Sequence, residues 1–281
     1  MESFVFIAVL FAAACHAAWN ALIKVGLDPL STTTLIAIGA ATVSLVCLPL
    51  AGIPQSAAWP WLAASAVVHL LYFAGLIESY RTGDLGQVYP LARGSAPLMT
   101  AIVGAVFIGE HLCLSAWGGI VALAAGVLFL SARGGRGIAQ LDRRAVGYAL
   151  LTALTICAYS IIDGIGVRLS QNPPAYVLWL FVANATTLVP YALWRDRNGV
   201  TAAMRRFWLR GLVGGALQAL SYGIALWAMT LAPIALVASL RETSVLFGAI
   251  IAVFILKEPL QTARVAAAVL IVCGLVLIRL Q

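Results

Sequence analysis

The chain has 281 residues, of which 63% are hydrophobic and only 10% charged, and its mean hydropathy is +1.01. A soluble domain carries about 25% charged residues, so a soluble globule is excluded. The formal net charge of +7 sits in short connections between apolar runs, which fits orientation in a bilayer and gives no face for nucleic acid.

The apolar runs are each about twenty residues long, the length that a helix needs to cross a hydrocarbon core of about 30 Å. The first, 3–24, follows Glu2 and lacks the basic start of a signal peptide, so it is expected to be a retained helix. It carries His16, Trp19 and Asn20 at i, i+3 and i+4, on one face. The second covers 31–51. The third, 58–79, repeats the spacing with His69, Tyr72 and Phe73.

The fourth run, 85–109, contains Arg93 about eight residues in, or roughly 12 Å deep at 1.5 Å per residue. Tyr89 lies one turn before it, and Pro90 and Pro97 are expected to interrupt the helix on either side. The fifth run, 113–132, has the small residues Gly118, Ala122 and Gly126 at four-residue spacing, a close-packing seam. The sixth, 146–168, places Thr155, Tyr159 and Asp163 on one face, and the seventh is 174–194. The eighth, 208–230, carries Gln218, Ser221 and Tyr222 beside a second small-residue ladder at Gly211, Gly215, Ala219 and Gly223. Such ladders bury contacts within one chain or between two. The ninth, 232–256, holds Arg241 and Glu242, and the tenth is 261–280.

The expected fold class is therefore an all-α polytopic membrane protein with ten transmembrane helices. Basic residues collect in alternate connections: Arg133, Arg136, Arg143 and Arg144 between the fifth and sixth runs, and Arg195, Arg197, Arg205, Arg206 and Arg210 between the seventh and eighth. Lys24, Arg81, Lys257 and Arg264 fall on the same face, whereas the other face has only Arg168 and Arg279. The positive-inside rule then puts both termini on the non-cytoplasmic side.

A single offset of 148 residues (241 − 93) superposes Arg93 on Arg241, Glu110 on Glu258 and Gly126 on Gly274. Rare membrane charges in register point to a duplication, with 1–140 as one five-helix repeat and 141–281 as the second. An odd number of crossings inverts the second copy. Inverted repeats are a recurring plan of secondary transporters, which place the substrate near the midplane between the halves.

The phrases "YPLARGSAPL", "GEHL", "SLRETSVLFGAIIAVFILKEPL" and "HAAWNALIKVG" resemble EamA-type members of the drug/metabolite transporter superfamily over essentially the whole chain. The resemblance implies a ten-helix, two-repeat carrier of small organic solutes, many of them exporters of amino acids, including YddG-type aromatic amino acid exporters. Relatives are often drawn with cytoplasmic termini, the reverse of what the arginine count here indicates.

A charge in the hydrocarbon costs about 2.5–3.5 kcal/mol on insertion scales, so Arg93 and Arg241 are expected to face a partner or a wet cavity. Adjacent residues on a helix point about 100° apart, so Glu242 is expected to pair not with Arg241 but with Arg93, leaving Arg241 for a substrate carboxylate. The alternative is that both arginines lock helices together. The candidate substrate-binding residues are His16, Trp19, Asn20, His69, Tyr72, Tyr89, Arg93, Tyr159, Tyr222 and Arg241, with Asp163 and Glu242 as proton-coupling or ion-pair candidates. Aromatic groups suit an apolar or aromatic cargo side chain, with polar groups left for its ends. Glu110 and Glu258 each precede a new helix and are expected to stabilise its N-terminus.

The five cysteines are scattered without metal-ligand spacing and are expected to be apolar thiols. No cofactor or metal is implied. The chain has no GxxxxGK[ST] loop, HExxH or GxSxG, so a pump and an enzyme are both disfavoured. The expected function is secondary or facilitative export of small metabolites, most of all amino acids, by alternating access in the inner membrane, as a monomer or weak homodimer. A flippase for a lipid-linked sugar is the alternative, with an intramembrane enzyme behind it.

Overall fold

The computed structural model describes residues 1–23, 28–82, 85–134, 143–254, 257 and 262–280; within these, the backbone alone is described at 22–23, 76–82, 85–90, 130–134, 143–145, 252 and 262–264. Among the described residues the chain is helix and short connection throughout. The helices are α1 (Ser3–Ile23), α2 (Pro29–Ala51), α3 (Trp59–Thr82), α4 (Leu85–Val103), α5 (Leu114–Gly134), α6 (Arg143–Leu169), α7 (Pro173–Met229), α8 (Ile234–Arg241), α9 (Ser244–Phe254) and α10 (Thr262–Arg279). Among the described residues, seven helical stretches are long and apolar enough to cross a membrane, and Leu114–Phe129 and Val265–Arg279 are shorter apolar helices. The chain is a polytopic membrane protein.

At 57 residues α7 would extend about 85 Å if straight, far beyond one bilayer core. It is bent at two points. Asp196 (φ −152°, ψ 82°) and Phe207 (φ −126°, ψ 18°) leave helical geometry, and the Asp196 carboxylate accepts the Gly199 N–H at 2.9 Å, which starts a new helix. The pieces 173–195 and 208–229 match the expected seventh and eighth runs. The basic connection between them is itself helical, held by Val200 in a small cluster with Leu30 and Ala192.

Two other elements depart from the expectations. The prolines do not interrupt α4, which runs through Pro97 to Val103; a proline-free turn farther on, Gly104–Ile108, widens to π geometry and ends at left-handed Gly109 (φ 76°). The ninth run is not one helix. At the end of α8 the amides of Glu242 and Thr243 donate to the carbonyls of Ser239 and Leu240 three residues back, so the chain tightens before α9 begins. Such tight turns inside a helical run mark hinges or sites.

The small-residue ladders are seams within the chain. A Cβ on Gly39 would strike the Gly211 carbonyl, and one on Gly215 would strike the backbone of α2. A Cβ on Gly119 would lie 2.7 Å from the Gly274 carbonyl, and one on Gly126 would lie 3.1 Å from that of Ala267. Among the cysteines, Cys15 and Cys157 are buried, but Cys113 and Cys273 are exposed.

Contacts between the first and last helices gather both termini at one end of the bundle. The Arg279 guanidinium donates to the Met1 carbonyl at 2.8 Å, and Phe4 meets Trp227 edge-on at 5.8 Å. Nearby, the Gln55 N–H donates to the Ser170 carbonyl at 3.1 Å, and the Asn172 amide to that of Ala51 at 2.8 Å.

Candidate functional site

Arg93 enters the core from α4 and is 5% exposed. Its Nη1 donates to Glu242 Oε1 at 3.3 Å, and its Nη2 lies 2.7 Å from His16 Nε2 on α1. An arginine nitrogen can only donate, so His16 Nε2 accepts and the ring is neutral in this arrangement, with its proton on Nδ1. The His16 ring meets Trp19 edge-on at 5.1 Å. Asn20 turns back to its own helix, donating to the His16 carbonyl at 2.8 Å. The second oxygen of Glu242, Oε2, is buried and has no hydrogen-bond partner among the described residues.

A second cluster surrounds Asp163 on α6, which is fully buried. Tyr222 from α7 donates its hydroxyl to Oδ2 at 2.6 Å, and Tyr176, also from α7, donates to Oδ1 at 3.2 Å. Both carboxylate oxygens are therefore occupied. His69 stacks on Tyr159 with centroids 4.4 Å apart, while its Nδ1 lies 3.0 Å from the Ser65 hydroxyl. Tyr72 meets Tyr159 edge-on at 5.6 Å.

Arg241 joins the two clusters. Its guanidinium lies over the Tyr222 ring at 4.6 Å, within the range of a cation–π contact, and it makes no salt bridge among the described residues. The bond from Asp163 to the Tyr222 hydroxyl fixes the ring on which Arg241 rests. Arg241 and Glu242, adjacent at the end of α8, both line one cavity. Pro97 and Thr100 of α4, Tyr159 and Ser160 of α6, and Arg241 and Glu242 bound it. Its free space admits on the order of one water, so any larger cargo requires the helices around it to part.

The structure thus brings together His16, Trp19, His69, Tyr72, Arg93, Tyr159, Asp163, Tyr222, Arg241 and Glu242. Asn20 is on the same helix face but engages its own backbone. The Tyr89 side chain and Glu258 lie outside the described residues. Tyr176 and Ser65 were missing from the sequence-derived set: Tyr176 sits near the start of α7, where a tyrosine reads as an interfacial anchor, and a serine inside an apolar run carries little signal. Glu110 also departs from expectation. Its carboxylate does not stabilise the helix that follows it but reaches the N–H groups of Ile234 and Ala235 at 2.6 and 3.2 Å, at the start of α8.

A helical membrane bundle with paired charges buried at its centre is the build of a membrane transporter. The chain belongs to the EamA-like transporter family, whose model matches residues 3–132 and 143–280. An uncharacterised transporter in the cobO 3' region of Sinorhizobium sp. is 36% identical over 73 residues, which are 26% of this chain and 51% of that protein; the chain spans about half the length of this curated relative. A crystal structure at 17% identity superposes with a TM-score of 0.76 and covers 99% of this chain and 96% of that one. At that identity the likeness concerns the fold.

Proposed function

We propose that this transporter exports amino acids, aromatic ones among them, by alternating access around the Arg241–Glu242 cavity. The observation that carries this reading is that a guanidinium with no salt bridge, and a buried carboxylate oxygen with no donor, among the described residues line the same small space. A zwitterion supplies both missing partners: its carboxylate matches Arg241 and its ammonium matches Glu242 Oε2. The rings of Tyr159, Tyr72 and His69 form an apolar wall suited to the cargo side chain. Arg93 then serves mainly to hold Glu242. Glu242 and Asp163 remain the candidates for a coupling proton.

Ten crossings arranged as two inverted repeats, 1–140 and 141–281, fit this mechanism. Two observations support them. The family model matches two consecutive stretches of similar length, and the contact of Gly119 with Gly274 becomes, under the 148-residue offset, that of Ala267 with Gly126, which is also present. A contact that maps onto its own reverse is expected of a pseudo-two-fold axis. The loop arginines support an inner-membrane protein with both termini on the non-cytoplasmic side, and nothing in the cavity requires a second protomer.

The test is flux of a labelled amino-acid panel in liposomes, with protein-free liposomes as control and a pH gradient imposed or absent. Protein-dependent flux that falls about tenfold or more in folded Arg241→Gln supports the reading. Absence of flux for every amino acid sinks it and brings lipid-linked sugars forward.

A further inference from the structure

The end of the bundle that carries the termini is fastened by a second buried carboxylate, outside the central site. The Glu110 side chain is 6% exposed and follows the π turn at the end of α4. Its Oε1 accepts the Ile234 N–H at 2.6 Å and Arg168 Nη2 at 3.2 Å, and its Oε2 accepts the Ala235 N–H at 3.2 Å. Arg168 also donates Nε to the Met229 carbonyl at 2.8 Å and Nη2 to the Ala232 carbonyl at 3.0 Å. One carboxylate and one guanidinium therefore join the ends of α4, α6, α7 and α8. Gly104 leaves room for this, since a Cβ there would lie 2.9 Å from Glu110 Oε2.

The helix held in this way is short. α8 has eight residues, so the amides gripped by Glu110 lie about 10 Å from Arg241 at its other end. A helix of two turns moves as a unit, and its first amides have no intrahelical acceptors. Removing Glu110 strands them and frees α8 to shift, with Arg241 and Glu242 at its far end.

We propose that Glu110 and Arg168 form the gate of the terminus-side face, a pair that seats α8 while this end is closed and must separate for cargo to pass. This rests on the alternating-access reading. The inverted-repeat reading adds an asymmetry: the 148-residue offset pairs Glu110 with Glu258 but Arg168 with Asn20, a neutral amide that donates to its own helix. At the register position of Arg168 the other repeat thus offers a neutral amide, and with the Glu110–Arg168 pair made as observed the resting transporter is expected to favour the state closed at the terminus side.

The test uses the full chain in sealed vesicles of each orientation, with the native cysteines replaced and Ser160→Cys placed in the cavity as reporter. A membrane-impermeant maleimide reads accessibility from each side without cargo. Glu110→Gln and Arg168→Gln are expected to raise labelling from the terminus side about tenfold, the scale of a lost hydrogen bond to a charged group, and to lower it from the other side. Arg168→Lys, which keeps the charge but cannot reach all three acceptors, is expected to fold and to shift labelling in the same direction by less. Wild-type labelling from both sides in folded Arg168→Lys and Arg168→Gln overturns the gate. Because the reporter needs no cargo, the gate stands or falls separately from the amino-acid assignment: absent flux with shifted labelling removes only the cargo, and normal flux with unshifted labelling removes only the gate.

Discussion

Among the described residues, two arginine–glutamate pairs look alike in sequence and differ in how completely they are satisfied. At the rim, Glu110 uses both oxygens and Arg168 reaches two carbonyls besides. At the centre, Arg93 and Glu242 meet at 3.3 Å with both side chains 6% exposed, yet Glu242 Oε2 is without a donor among the described residues. A saturated pair in a helical bundle behaves as a fastener. A pair with an acceptor left open among the described residues, beside a cavity, fits the proposed contact with cargo, since a buried polar atom left unmatched costs about 1–3 kcal/mol.

The strongest way to break this contrast is to remove one member of the central pair. Arg93→Gln strands Glu242 and Glu242→Gln strands Arg93; an uncompensated buried charge costs about 3–5 kcal/mol, and a large fall in the thermal midpoint in detergent is expected. The double variant Arg93→Met/Glu242→Met should regain much of that stability while flux stays absent. Recovery of flux in the double variant would make the central pair a fastener like the rim pair.

A smaller effect is expected at Tyr222. Tyr222→Phe keeps the ring beneath Arg241 but deprives Asp163 of its 2.6 Å hydrogen bond, with a stability loss of about 1.5–3 kcal/mol and a modest change in flux. Tyr222→Leu also removes the ring and should lower flux further at similar stability. Equal flux in the two variants would show that the ring does not position Arg241.

Away from both pairs, Gly274→Ala places a Cβ 2.7 Å from the Gly119 carbonyl, and overpacking of this kind costs about 1–3 kcal/mol. Thermal unfolding should show the loss while cavity labelling from either side stays as in wild type. A change in sidedness would instead make this seam part of the gating motion.

The mildest probe is chemical. Cys113 lies exposed in the connection after Glu110, and hydrogen bonds from the Ser115 hydroxyl and the Ala116 amide at the start of α5 hold its thiol below the ordinary cysteine range. A lowered value means more thiolate near neutral pH. Maleimide labelling of Cys113 should reach half its maximal rate at a lower pH than a model thiol, while buried Cys15 and Cys157 stay unlabelled. The side from which an impermeant reagent reaches it reports where the termini lie; labelling only from the cytoplasmic side would overturn the arginine-based orientation.

The helices were legible because apolar length is a property of consecutive residues: runs 3–24, 31–51 and 58–79 lie on α1, α2 and α3 within a few residues. The pairing of Arg93 with Glu242 was legible because few opposite charges exist in the apolar runs and adjacency forbids Arg241 as the partner. The tight turn after Arg241 was not, since it follows from i→i−3 bonding by Glu242 and Thr243, with no glycine or proline at the turn to mark it. The acceptor of Glu110 was not legible either. A carboxylate near the start of a helix points to its own helix in sequence, whereas here the nearest unsatisfied amides belong to α8, more than one hundred residues away, and only the folded bundle brings them within reach.

The position of Arg241 over Tyr222 has a consequence for speed. A guanidinium on a ring face is held by about 0.5–2 kcal/mol, without a fixed direction or a proton to share. A cation tied to a carboxylate would have to break that bond before accepting cargo, and each release would wait for it to re-form. If Arg241 binds cargo as proposed, resting on a ring means that it surrenders little on capture and loses little on return, which suits a carrier whose worth lies in turnover rather than retention.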